Sequence, residues 1–269
     1  MDIGLELLLL KVAIAPTFIG LVSLFALRYG HRAAGWLVAL PINTGTVVFI
    51  LVLAEGAQFA ATAALGALLG IVSLSAFAIV YARSALRFSW PVCLGLASLG
   101  FIVFTLALSE FPEIVPLEFA GAVASIGVVL AILPVPNEPL PATPAPRWEI
   151  PVRMLTAALL VLGITTAAES LGPRLSGLLT PIPVFTITLV LFTHSRLGPA
   201  PVFVFLSGLE YGLFSFAAFC AVVGVLLVPY GLVVAIVAGL AAFLGVYGLV
   251  RLCLARWPTR DRSGSRSNA

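Results

Sequence analysis

The chain is a succession of apolar runs, each about twenty residues long, and the short stretches between them hold most of its charge. About 20 apolar residues span the hydrocarbon core of a bilayer as a helix. Inside that core no water can bond the backbone, so each run must satisfy its own amides and carbonyls, which a helix does. Nine such runs are read, at about 6–27, 35–54, 58–82, 89–109, 114–133, 151–168, 177–194, 200–227 and 229–252. The expected fold is therefore all-α, a polytopic membrane bundle of about nine transmembrane helices. Only 9% of the residues are charged, against about 25% in a soluble domain. The net charge of +3 is concentrated in the arginines from Arg251 onward, which excludes a nucleic-acid-binding face on a soluble fold.

The loops sort by charge. Arg28, His31 and Arg32 follow the first run, Arg83 and Arg87 the third, Arg147 and Arg153 flank the start of the sixth, and Arg196 follows the seventh. The alternate loops carry Glu55, Glu110, Glu113 and Glu169, with Arg174 as the single exception. Basic loops favour the cytoplasm, so the N-terminus is expected outside and the C-terminus inside, in a cell inner (plasma) membrane. Met1-Asp2 lacks a basic leader and Lys11 interrupts the first run, so no secretory signal is read here. Three cysteines in apolar stretches (Cys93, Cys220 and Cys253) read as packing residues rather than a disulfide framework.

Shifted by 142 positions, the chain aligns with itself without a gap: Gly30 falls on Gly172, Gly35 on Gly177, Pro41 on Pro183, Thr44 on Thr186 and Thr46 on Thr188. The register continues through Gly56 and Gly198, Gly66 and Gly208, Gly70 and Gly212, and Ser73 and Ser215. Shared apolar composition pairs Leu, Val and Ala, whereas these matches are Gly, Pro, Ser and Thr. Five crossings separate the starts of the two copies, and an odd number inverts the second. Two inverted-topology repeats related by an axis in the membrane plane are expected, the pattern of many secondary transporters. Repeat one covers 1–133 with five spans and repeat two covers 151–256 with four. Between them, 134–150 is a proline-rich cytoplasmic linker of extended character, and the basic tail 257–269 has nothing to bury and is expected disordered.

The strongest candidate for a site is the paired interruption of spans two and seven at Pro41, Pro181 and Pro183. Proline removes an amide donor and clashes with the preceding turn, so a helix kinks or unwinds there. Asn43, Thr44 and Thr46 in copy one, with Thr186 and Thr188 in copy two, can satisfy the freed carbonyls and line a substrate site. Glu210, in span eight, is an acid at membrane depth and is read as the residue that couples transport to protons. Its repeat mate is Leu68. Gly66, Gly70, Gly208 and Gly212 recur every four residues and are expected to let helices approach closely, with a contact across the repeat axis. His194 reads as interfacial, and Lys11 as snorkelling outward.

Catalytic signatures are absent: there is no zinc-protease motif, nucleophile elbow or phosphate loop, and Asp occurs only at Asp2 and Asp261. No enzyme, no metal and no cofactor are expected. The stretch Leu178-Leu179-Thr180-Pro181-Ile182-Pro183-Val184-Phe185, followed by His194, Gly198 and Gly212-Leu213-Phe214-Ser215, resembles the small bacterial GlpM-type membrane proteins. Ile182 stands where that pattern has Phe, and His194 lies further from the prolines. The resemblance implies a bacterial inner-membrane protein linked to envelope polysaccharide production and lends no catalytic residues. The function expected is alternating-access transport of a small or lipid-linked solute. The alternative is an accessory subunit of an envelope-biogenesis complex, whose partners would be a second copy or the complex itself.

Overall fold

The computed structural model describes residues 3–110, 114–135, 146, 148–162 and 183–256, with side chains of the first helix described from Pro16 onward. The described residues are helical apart from short connections. They form α1 (Ile3–Tyr29), α2 (His31–Val38), α3 (Ile42–Ala54), α4 (Ala57–Ser84), α5 (Trp90–Leu108) and α6 (Val115–Ile132). After these come α7 (149–162), α8 (Val184–Leu197) and α9 (Pro199–Arg256). Among the described residues four helices are long and apolar enough to cross a membrane: α4, α5, α6 and α9. That count is below the nine runs of the sequence, partly because the break at Pro41 divides the second run into α2 and α3. The linker core 136–145, Pro181 and the tail 257–269 lie outside the described residues.

Helix ends fall where local chemistry puts them. Pro41 and Pro183 stand immediately before α3 and α8, where a missing amide costs nothing. Gly56 and Gly198 precede α4 and α9 with φ of 92° and 78°, a backbone region that glycine enters freely. Each pair is 142 residues apart, so the sequence period is also a period of helix boundaries.

The long helix α9 is two helices. Gly231, just after Pro229, has φ 81° and ψ 170° and breaks the helical path. Beyond it the chain doubles back: a Cβ added at Gly239 would meet Val223 and Phe219, on the other side of the turn. The N-terminal arm (199–230) and the C-terminal arm (232–256) therefore form an antiparallel hairpin.

The core sits where α4 meets the N-terminal arm of α9. Ala64, Leu68, Ile71, Ser75 and Ala78 line α4 at intervals of three and four residues, all buried. Leu206, Glu210, Leu213, Ala217 and Cys220 do the same on α9 at the positions 142 later. The two helices run antiparallel. Ser75 touches Glu210, while Gly224, fourteen residues further along α9, faces Ala61 and Leu65. The helix α6 lies over this seam with Ala122, Ile126 and Val129 buried. The outer surface is apolar, with Leu99, Val103, Val233 and Leu244 exposed, as lipid-facing helices require.

Candidate functional site

A buried carboxylate lies on the seam. Glu210 is fully buried, and its Oε2 accepts a hydrogen bond from Ser75 Oγ at 3.2 Å. Ser125 of α6 in turn donates to Ser75 Oγ at 3.2 Å and lies 2.8 Å from the carbonyl of Ala122. Three helices thus contribute to one short polar chain that ends on the acid. Among the described residues Glu210 Oε1 has no hydrogen-bond partner. A buried carboxyl oxygen without a donor costs stability, and a group retained at that cost is a candidate for function.

The neighbouring Tyr211 takes no part in this bonding. Its ring stacks on Trp36 of α2 at 6.2 Å, and Trp36 also meets Tyr247 of the C-terminal arm edge-on at 4.7 Å. This aromatic layer seats α2 on the α9 hairpin.

The proposed substrate threonines sit elsewhere. Thr186 and Thr188 are buried on α8, and Thr188 Oγ1 donates to the carbonyl of Val184 at 2.8 Å within its own helix. That bond satisfies a first-turn carbonyl beside the break at Pro183, as expected of a hydroxyl near an interrupted helix. Thr44 is half-buried on α3, and the side chains of Asn43 and Thr46 lie outside the described residues. Among the described residues no hydrogen bond joins these threonines to Glu210.

The glycines divide too. Cβ atoms on Gly208 and Gly212 would collide with Arg32 and Ala39 respectively, and one on Gly35 with the backbone of Phe205 and Leu209. Backbone-to-backbone packing of α2 on α9 therefore requires glycine on both sides. Gly66 and Gly70 meet no atom within 4 Å among the described residues. Gly208 and Gly212 thus face α2 and not the expected partners on α4.

A second polar group ties three helices together at the end rich in arginine. Tyr81 Oη of α4 and His194 Nδ1 of α8 are 2.7 Å apart and buried. Glu149, at the start of α7 and 2% exposed, accepts hydrogen bonds from Arg153 of its own helix and from Arg196 of α8. Arg153 also lies over the ring of Phe192 at 5.6 Å. His31, at the same end ahead of the second span, is held below the ordinary histidine range by burial, with the Arg153 charge adding to the effect.

Ser75, Ser125, Tyr81 and Glu149 carry no sequence signal that singles them out, whereas the buried Glu118 of α6 is, like Glu210, an acid inside an apolar run. A serine in an apolar helix reads as bonding its own backbone, and Glu149 reads as part of the linker. A buried-face test along α4 and α6 would have flagged Ser75 and Glu118. Among the described residues no three His, Cys, Asp or Glu side chains converge as metal ligands. No family model, curated protein or solved structure matches the chain.

Proposed function

We propose that the protein is a secondary transporter of the inner membrane, built from two inverted copies of one helical unit and working by alternating access. The observation that carries this reading is the seam. Its two helices are repeat mates, they run antiparallel, and the contact of Ser75 with Glu210 has its twofold counterpart in Leu68 and Ala217. An antiparallel pairing of mates is what an axis in the membrane plane generates. Helix boundaries that recur at the same offset support it, as does the break before α3 and α8 in both copies.

In this mechanism Glu210 carries the coupling proton. Its repeat mate is Leu68, so the acid breaks the symmetry of the two copies. The two interrupted helices, with Asn43, Thr44, Thr46, Thr186 and Thr188 close to their breaks, supply substrate contacts from free backbone groups and hydroxyls. A small or lipid-linked solute is the substrate class. Exposed apolar faces support a position in a bilayer, and the basic loops favour a cytoplasmic C-terminus.

Single cysteines at Ser109, Thr143, Gly172 and Asn268 in a cysteine-free chain test the topology. Labelling of the Ser109→Cys and Gly172→Cys variants from outside, and of the other two only from inside, is the expected result. Ser109→Cys and Gly172→Cys labelling on opposite faces would break the inverted repeat. The transport reading would then give way to the accessory-subunit alternative.

A further inference from the structure

We infer that α8 is the cytoplasmic gate of this transporter, held shut by the Tyr81–His194 hydrogen bond and the Glu149–Arg196 ion pair; the inference rests on the transport reading above. Both contacts converge on the last turn of α8, one from α4 and one from α7. Two different helices therefore clamp the same short segment.

The segment is built to swing. It begins after Pro183, whose φ of −78° and ψ of 66° are not helical, and ends at Gly198, with φ 78°. A rigid helix of 14 residues thus lies between two backbone breaks, the arrangement in which rotation at a few residues moves a whole element. The clamp also lies on the arginine-rich side of the acid. Tyr81 is six residues beyond Ser75 on α4, about 9 Å along the helix axis, on the side where Arg83 and Arg87 follow.

The sequence offset sets the clamp apart from its counterpart. The mate of α8 is α3, also set between a proline and a positive-φ glycine, Pro41 and Gly56. Where α8 and its partners have His194, Tyr81, Glu149 and Arg196, the positions 142 away hold Val52, Val223, Leu7 and Ala54. All four of those positions are apolar, so the directional bonds occur on the α8 side of the sequence offset and have no polar equivalent on the α3 side. Directional bonds give a closed state that a small displacement breaks completely, whereas apolar contacts yield gradually.

The test reads access to the seam from each face of the membrane. The full chain carries Ser75→Cys with Cys93→Ala, Cys220→Ala and Cys253→Ser, in oriented vesicles treated with a membrane-impermeant maleimide. Tyr81→Phe deletes one hydroxyl and Glu149→Gln one charge, and both keep the side-chain volume. Each is expected to raise labelling from the cytoplasmic face by about tenfold and to lower it from the outer face. Unchanged rates in both variants, with the parent labelled from outside, would overturn the gate and leave the transporter standing. A rise from both faces would mean a loosened bundle and would also overturn it. A parent and variants unreactive from either side would overturn gate and transporter together.

Discussion

The helix α4 and the N-terminal arm of α9 are repeat mates with the same buried stripe, yet they do different work. On α4 the stripe is apolar through Ala64, Leu68 and Ile71 and turns polar at Ser75. On α9 the mate of Leu68 is Glu210, and the mate of Ser75 is Ala217. Each copy therefore gives one polar residue, and antiparallel pairing brings the two together at 3.2 Å. The polar contact thus needs a residue from each helix, and neither stripe supplies it alone. The packing surface differs as well: the glycine face of α9 is covered by the backbone of α2.

The largest effect is expected where that cover is closest. Gly208→Leu places a side chain into the carbonyl of Arg32, and the variant should yield no monodisperse protein after solubilisation, as measured by gel filtration. Gly66→Ala, at the mate position, should purify normally and unfold at the parent temperature. Equal losses at both positions would mean that the glycine face of α4 is covered as α9's is, and would remove the difference between the mates.

Next comes the acid. Glu210→Leu restores the residue of its mate, and removing a partly unsatisfied buried carboxyl should stabilise the fold by about 1–3 kcal/mol. Thermal unfolding in detergent would show it, and a clear loss of stability would recast Glu210 as a structural residue. Glu210→Gln should keep the fold and abolish proton-coupled transport once a substrate is found. Unchanged transport would remove the acid from the mechanism.

Smaller effects separate the seam from the breaks. Ser125→Ala deletes the outer member of the polar chain and should cost about 1 kcal/mol, the usual worth of one net hydrogen bond. Thr188→Val deletes a hydroxyl that bonds only its own helix, so a change below about 0.5 kcal/mol is expected in the same assay. A larger loss would give that threonine a tertiary role.

The helix starts were legible because proline acts locally: α3 begins after Pro41 and α8 after Pro183. The turn between the last two spans was legible for a similar reason, since Pro229 and Gly231 interrupt an otherwise unbroken apolar run. Glu210 was legible because a carboxylate is rare at membrane depth. Its partner was not: Tyr211 adjoins it in sequence, but successive residues on a helix point about 100° apart, and the bond goes to Ser75 on another helix. His194 looked interfacial from its position beside Arg196, and tertiary packing buries it against Tyr81.

Helical class, the offset of 142 residues, the proline and glycine boundaries and the membrane-depth acid follow from the sequence, because each depends on residues close together in the chain or on the solvent around it. Which buried polar groups meet depended on the tertiary structure. The Ser125–Ser75–Glu210 chain, the clamp on α8 and the seating of α2 on α9 join residues up to 211 positions apart. Such contacts are set by helix direction and rotation, which apolar periodicity leaves open when every face of a helix is greasy.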